Sequence, residues 1–310
     1  MSGLEAIASA ARFAQFAAAM IILGMPFFLL RTFGGASASL PPSWARGWLW
    51  GATALLLAGA GASALAQTAL MYGEPAAAFR PADVVSVLLE TGTGRGLAAR
   101  LALTLVLAAL LALGRRDIPT WRGCVFVGAL IGASFAWTGH GAASEGASGY
   151  VHLASDIVHT LAAAVWLGAL VPLLLLVIRA RRSAAGPADR QLAYESLEGF
   201  SGVGSIVVAL LILSGAVNSW FLVGPDNIIT LPNSLYGKLL LAKLALFSLM
   251  LALASANRFW LTPALARRLS GESNSPLQAL RTSVLLETVV GLLILAVVSA
   301  LGMLMPVSAL

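Results

Sequence analysis

Eight long apolar segments follow one another along this sequence, and they constrain its fold more than any other feature. A helix that crosses the hydrocarbon core of a bilayer needs about 20 mainly apolar residues, and eight segments of the 310-residue chain reach that length. They cover roughly residues 4–30, 47–71, 84–113, 119–138, 151–178, 200–223, 236–260 and 278–304. None has the alternating pattern of a barrel strand. We therefore predict an all-α integral membrane protein, a bundle of about eight transmembrane helices.

The composition argues against the main soluble alternatives. Charged residues make up 10% of the chain and apolar types 59%, whereas soluble domains average about 25% charged residues. So little charge cannot coat a water-facing surface, which excludes a soluble enzyme, a nucleic-acid-binding protein or a disordered chain as a first reading. The net charge of +6 is interpreted as membrane topology rather than as contact with a polyanion. The single cysteine, Cys124, excludes a disulfide framework.

Turn residues divide the chain into its segments. Prolines stand in most of the connections, and the third segment is interrupted at residues 91–94 by the sequence TGTG, which predicts a short surface helix before the span itself. The N-terminus lacks the basic flank and cleavage site of a signal peptide, so the first segment is counted as a span. The sequence also suggests two four-helix halves, residues 1–138 and 139–310.

The basic residues predict the orientation of the bundle. Eight spans put both termini on one side, and the loops between spans 1–2, 3–4, 5–6 and 7–8, with their helix ends, hold 13 of the 19 Lys and Arg residues. These are Arg31, Arg46, Arg115, Arg116, Arg122, Arg179, Arg181, Arg182, Arg190, Arg258, Arg267, Arg268 and Arg281. Because basic loops stay in the cytoplasm, both termini are predicted to be periplasmic. The periplasmic loops hold Glu74, Asp83, Glu145 and Asp226 against Arg80, and this acidic balance favours cations.

The histidines form the strongest chemical signal. The chain has three, His140, His152 and His159, all within twenty residues at the predicted outer ends of spans four and five. On a helix, His152, Asp156 and His159 fall on one stripe at i, i+4 and i+7, with the two histidines about 10.5 Å apart along the axis. Imidazole and carboxylate groups suit copper(II) or zinc, so the stripe predicts two stacked metal positions that share Asp156.

Other readings of this stripe stay open. Asp156 is alternatively an outer acceptor that fixes a histidine tautomer, or the partner of a nearby Lys or Arg. His152 is alternatively an interfacial side chain. His140 lies in a Gly/Ala/Ser-rich connection that is flexible enough to fold it over the mouth of the site.

Further polar and sulfur side chains are candidates of a second rank. Met71, Met303 and Met305 stand at outer helix ends, where thioethers could bind copper(I), although methionine more often fills gaps between helices. Lys243 lies deep enough in span seven to neutralise Asp156 or Asp226. Glu287, about ten residues into span eight, predicts either a proton relay or an ion-pair partner for Arg12 or Arg100.

Four motifs of the second half resemble the CopD/PcoD family of copper-resistance membrane proteins. They are TGH at 138–140, SDIVHTLAAAVWLGAL at 155–170, FSGVGSIVVALLILSGAVNSW at 200–220 and YGKLLLAKLALFSLMLALASANRFWLTPAL at 236–265. The resemblance covers roughly residues 138–300, while the first half matches only in its hydrophobic layout.

This resemblance implies an inner-membrane protein that takes copper from the periplasm and delivers it inward. It makes His140, His152 and His159 copper-site candidates, and it assigns supporting roles to five further residues: Asp156, Trp166, Lys243, Asn257 and Arg258. From the residues alone, Trp166 and Asn257 are expected to serve helix packing. A fused CopC domain is missing from the chain, so a CopC-type copper carrier would be a separate protein.

Three functions remain open at this stage. The first is copper import, without enzymatic activity, since the chain has no nucleotide-binding motif of the Gly-x-x-x-x-Gly-Lys type. The second is a membrane b-type cytochrome with His-ligated haem. The third is a copper-binding scaffold or sensor that transports nothing.

Overall fold

The computed structural model describes residues 3–33, 41–139, 146–180, 187–267 and 275–309. These residues form α-helices with short 3-10 and π segments between them, and no strand. The helices are α1 (Gly3–Phe33), α2 (Ser43–Tyr72), α3 (Pro81–Glu90), α4 (Gly92–Leu113), α5 (Ile118–Ala133), α6 (Gly146–Ala180), α7 (Pro187–Leu222), α8 (Leu235–Ala256), α9 (Thr262–Ala266) and α10 (Ser275–Leu301). In this part of the chain, eight helical segments are long and apolar enough to cross a membrane, which confirms the predicted all-α fold and its eight spans.

The third apolar segment is split where the sequence predicted. Helix α3 begins at Pro81 and ends at Glu90, and α4 begins at Gly92. Thr91 stands between them in an extended conformation, and its hydroxyl accepts a hydrogen bond from the Gly94 amide at 2.9 Å. This is the geometry of a helix N-cap, so α4 starts as a new helix rather than as a continuation of α3.

The seventh span contains an irregularity that hydropathy does not indicate. Residues 257–261 form a π-helix between α8 and α9, in which the Thr262 amide donates to the Asn257 carbonyl five residues earlier. Pro263 follows directly, and a proline has no amide hydrogen to bond the carbonyl four residues back. Short π segments often occur at functional sites.

Helix α1 lies at the centre of the bundle, where it contacts α2, α5, α6 and α10. Its closest approach is to α6, and glycines permit it: a Cβ added to Gly24 would lie 2.2 Å from the Ala164 carbonyl oxygen, and one added to Gly168 would lie 2.0 Å from the Met20 carbonyl oxygen. Small residues commonly allow such backbone contact between membrane helices. The α1–α6 contact joins the two predicted halves, whose boundary at residues 138/139 remains a prediction.

An arginine side chain bonds backbone carbonyls at each end of the bundle. At the terminal end, where α1 begins and α10 ends, the Arg12 guanidinium lies beside Gly302 and donates to the Thr138 carbonyl at 3.1 Å. The predicted placement of both termini on the periplasmic side remains a prediction. At the opposite end, which we call the basic end, Arg46 donates to the carbonyl oxygens of Leu111 and Gly114.

Candidate functional site

The histidine stripe lies in the first half of α6, at the terminal end of the bundle. His152, Asp156 and His159 all line one cavity of about 190 Å³, together with Arg12 and Lys243. We call this the terminal cavity. The structure therefore brings the predicted stripe residues to a common space, and it adds two cationic side chains to them. His140 lies outside the described residues.

His152 occupies the most enclosed position of the stripe. Its side chain is 2% exposed, and its ring stacks on Phe221 of α7 with the centroids 4.7 Å apart and the planes 5° from parallel. This contact fixes the plane of the imidazole. His152 is thus a packed residue at the wall of the cavity.

His159 has a hydrogen-bond partner that favours one tautomer. Its Nδ1 lies 3.0 Å from the Ser214 Oγ of α7, and the same hydroxyl lies 2.5 Å from the Leu210 carbonyl. A serine hydroxyl has one hydrogen. With that hydrogen directed to the Leu210 carbonyl, Ser214 would accept from Nδ1–H of His159. The Nε2 atom would then keep its lone pair, which is the form of imidazole that binds a metal.

Asp156 lies between the two histidines along α6 and interacts with several helices. The Asn218 amide nitrogen of α7 donates to its carboxylate at 3.4 Å. Arg12, Lys243 and Tyr236 all interact with it electrostatically. The predicted neutralisation of Asp156 by Lys243 is consistent with this arrangement, and Arg12 of α1 shares that role.

The stripe does not by itself form a complete metal site. Within the described ranges, no three His, Cys, Asp or Glu side chains come close enough together to hold one ion. This fits the predicted separation of His152 from His159 by about two helical turns. Additional ligands would be side chains of other types, such as methionine, or His140, which lies outside the described ranges, or groups of a second molecule.

The methionine candidates stand apart from the stripe. Met71 and Met305 are 60% and 70% exposed, and Met303 is half-buried near the end of the chain. None of the three is among the described residues that line the terminal cavity. The proposed role of these thioethers remains a prediction.

A second polar cluster lies further from the terminal end of the bundle. Glu287 of α10 is 3% exposed; its carboxylate accepts from the Asn257 amide nitrogen at the start of the π-helix. Both residues and Trp166 of α6 line a cavity of about 310 Å³, which we call the basic cavity. The arginines predicted as ion-pair partners lie instead at the terminal end.

Arg258, the fourth candidate of this region, is exposed at the wall of the basic cavity. Its guanidinium donates to the Ser201 carbonyl and to the Ser205 hydroxyl of α7. The structure thus unites Trp166, Asn257, Arg258 and Glu287, which the sequence alone could not group. Lys243 belongs to the terminal cavity.

The surroundings of Arg100 were not predicted from the sequence. This buried guanidinium donates to the side-chain Oε1 of Gln15 at 2.7 Å, to the Ser134 hydroxyl at 3.0 Å and to the Thr138 hydroxyl at 3.0 Å. It also lies 3.6 Å from the centre of the Phe135 ring. The sequence feature that indicates this cluster is the set of polar residues at matching depths in spans one, three and four.

A third cavity lies next to both polar clusters. It has a volume of about 360 Å³, lies between α6, α7 and α8, and is lined mainly by apolar side chains; we call it the middle cavity. His159 and Lys243 line both the terminal and the middle cavity. Trp166 lines both the middle and the basic cavity. The three cavities therefore follow one another along the second half of the bundle.

These observations define a multi-pass membrane protein with internal polar sites. It has eight span-length helices, a cavity with histidine and carboxylate at one end, and a buried carboxylate towards the other. Comparison with known families agrees with this class. Residues 194–301 match the family described as Copper resistance protein D, and residues 3–150 match Copper resistance protein D-like, N-terminal domain. The chain belongs to the copper resistance protein D family, as the sequence motifs predicted, and its first half also has a family counterpart.

Individual relatives extend this finding. The chain is 42% identical over 175 residues to Copper resistance protein D of Pseudomonas syringae pv. tomato, a match that covers 56% of each protein. It is 30% identical over 173 residues to Inner membrane protein YebZ of Escherichia coli (strain K12), which covers 55% of each. It is 29% identical over 185 residues to Copper transport protein CutJ of Bacillus subtilis (strain 168), over 57% of this chain and 32% of that protein.

The matched region spans about half the length of the first two relatives. No solved structure matches the chain. Its span-length helices and its inner-membrane relative place the protein in the inner membrane as a multi-pass protein.

Proposed function

We propose that this protein handles copper and carries it across the inner membrane towards the cytoplasm. The family membership and the names of two relatives, a copper resistance protein and a copper transport protein, support the choice of metal. The observation that carries the proposal is the position of His159. His159 lines the terminal cavity together with Asp156 and also lines the middle cavity, so its imidazole lies where the two cavities adjoin.

The terminal cavity has ligands for copper but a charge that limits its affinity. Imidazole nitrogen and carboxylate oxygen are suitable donors for copper(II). Arg12 and Lys243, which line the same cavity, repel a copper ion through the low-dielectric interior. A bound ion is therefore held by few ligands against two cations, which favours its release over long retention. Such a balance suits a transported ion better than a stored one.

Copper would enter at the acidic terminal end, which we propose faces the periplasm. It would be delivered there as free ion or by a separate CopC-type carrier, with His140 and His152 as further candidate ligands. From His159 the ion would continue through the middle cavity towards Trp166. The driving force would be a gradient or exchange between carriers, and no enzymatic reaction is proposed.

Copper flux tests this proposal directly. Purified protein in proteoliposomes is expected to transport copper, measured by mass spectrometry of the vesicle contents. His159→Ala and Asp156→Asn each remove a proposed copper ligand. Both are therefore expected to lower the rate of copper transport about tenfold or more. Asp226→Asn is the matched control, since Asp226 is an exposed carboxylate at the same end. Unchanged flux in both cavity variants would refute the role of this cavity.

Two alternative functions give different results in the same preparation. A scaffold or sensor would bind copper at the stripe but show no flux in vesicles. A b-type cytochrome would show a Soret band. The described histidines both belong to α6, and axial ligation of one haem iron by two histidines requires side chains that face each other from opposite sides. We therefore expect the purified protein to have no haem absorbance.

A further inference from the structure

We propose that Glu287 is a proton-binding site and that copper transport is coupled to the gain and loss of this proton. The inference deepens the proposed copper transport and rests on it for the coupling, whereas proton binding at Glu287 stands independently. The observations come from the basic cavity, which lies on the far side of Trp166 when viewed from the histidine stripe.

The surroundings of Glu287 disfavour a permanent negative charge. The side chain is 3% exposed in the interior of α10, and an ionised carboxylate at membrane depth is costly unless a cation pairs with it. The salt bridges found among the described residues lie elsewhere and join Arg80 to Glu74 and Asp83, and Arg179 to Asp189. Glu287 therefore needs either its polar neighbours or a proton to remain buried.

The elements packed around Glu287 supply one charged group. Of the described residues that line the basic cavity, Arg258 is the other ionisable one. It is exposed, and its guanidinium is bonded to the Ser201 carbonyl and the Ser205 hydroxyl. Helix α6 contributes Trp166, and the start of the π-helix contributes Asn257; both side chains are neutral. No cation among these neighbours holds Glu287 in its ionised form.

The Asn257 amide can serve both protonation states of Glu287. Its nitrogen donates to the carboxylate, while its Oδ1 is buried and has no hydrogen-bond partner. When a proton adds to the carboxylate, a half-turn of the amide presents Oδ1 as the acceptor for the new O–H group. An otherwise costly unpaired oxygen thus has a partner in the protonated state. The unpaired Oδ1 on the amide that contacts the carboxylate is the observation that points to a proton.

A metal ion fits the same position poorly. No three His, Cys, Asp or Glu side chains of the described residues come together to hold an ion, and the indole N–H of Trp166, which lines the cavity, can only donate. A proton needs a single carboxylate oxygen. The reaction is therefore protonation of the Glu287 carboxylate from solvent at the basic end, and its reversal.

The pair lies at the start of the π-helix. Asn257 is buried against Glu287, while the adjacent Arg258 is exposed. Glu287 and Arg258 line the same cavity, and protons would reach the carboxylate through it. Trp166, which contacts Phe247 edge-on at a centroid distance of 6.2 Å, connects this site to the copper route.

Infrared difference spectroscopy tests proton binding without reference to transport. The wild-type protein is expected to show the carbonyl band of a protonated carboxylic acid that disappears as the pH is raised. The band should be missing in Glu287→Gln and present in Glu90→Gln, the control, because Glu90 is an exposed carboxylate that accepts from Ser86. A band that persists in Glu287→Gln, or is absent from the wild type at every pH, would overturn the inference.

Flux measurements in proteoliposomes test the coupling. With a pH gradient imposed, copper flux through wild-type protein should change with the gradient, and a trapped pH dye should report proton movement. In Glu287→Gln, which keeps the side-chain shape, both responses should be lost while copper binding at the terminal cavity remains. Copper flux that is equal in both proteins and insensitive to pH, or that follows a Na⁺ gradient instead, contradicts the coupling. Absence of any copper flux in the wild type instead refutes the proposed transport.

Discussion

At the scale of single residues, the hydroxyl of Ser214 favours one tautomer of His159. It lies 3.0 Å from Nδ1, and with its own hydrogen directed to the Leu210 carbonyl it would accept from Nδ1–H. The Ser214 carbonyl in turn accepts from the Ser155 hydroxyl at 3.0 Å, so the serine is fixed from both sides between α6 and α7. One residue without affinity for copper thereby favours one tautomer and one ring direction of the best-placed ligand.

We predict that Ser214→Ala weakens copper binding about tenfold or more, because partners that orient a metal-ligating histidine typically contribute that much. Titration with copper in competition with a chromophoric chelator measures the change. The matched control is Ser248→Ala, which removes a hydroxyl that bonds the carbonyl four residues earlier in α8, at an exposed position. Equal affinity in wild type and Ser214→Ala would mean that His159 is not a ligand in this tautomer.

The stripe itself was predictable from the sequence, but its partners were not. The spacing of His152, Asp156 and His159 follows from the helical repeat alone. Phe221, Asn218 and Ser214 reach the stripe from α7, and which residues of two helices meet depends on their packing rather than on local sequence. The assignments of His140 and of the three methionines as ligands remain predictions for the same reason.

At the scale of helices, the crossing of α1 and α6 determines how tightly the bundle closes. The two backbones touch at Gly24 and Gly168, where any side chain would overlap backbone atoms of the other helix. Backbone atoms cannot rotate away as a flexible side chain can. The crossing therefore depends on glycine at both positions, and it places the terminal cavity between α1, α6, α8 and α10.

We predict that Gly168→Ala destabilises the protein by about 1–3 kcal/mol or more, as overpacking of a well-filled interior does. The thermal unfolding midpoint in detergent is expected to fall accordingly. Gly51→Ala provides the control, since a Cβ at Gly51 of α2 meets nothing within 4 Å. A Gly168→Ala midpoint equal to that of the control would show that the two helices cross with more room than the structure has.

The existence and order of the helices followed from the sequence, whereas one irregularity did not. Apolar length predicted the eight spans, and the TGTG sequence predicted the break before α4. The π-helix at residues 257–261 could not be predicted from hydropathy, because hydropathy reports composition and not the hydrogen-bonding register of the backbone. The pairing of Asn257 with Glu287 at its start joins two helices that the sequence analysis treated separately.

At the scale of the whole molecule, the two ends differ in charge. Ten of the cations assigned to one face by sequence lie within the described residues, while Arg181, Arg182 and Arg268 lie outside them. At the terminal end, Arg80 is bonded by Glu74 and Asp83 in an exposed network, which raises the pKa of Arg80. The basic end would face the cytoplasm, so copper that enters beside the histidine stripe would move inward.

Labelling of introduced cysteines tests this orientation. The native thiol, Cys124, is buried in α5, so Cys124→Ala provides a background without reactive cysteine. On that background, Glu74→Cys is expected to react with a membrane-impermeant maleimide in intact cells after removal of the outer membrane, because it lies at the terminal end. Arg116→Cys, at the basic end, should react only after the membrane is opened. The reverse pattern would invert the topology, and copper entering at the histidine stripe would then be leaving the cytoplasm rather than reaching it.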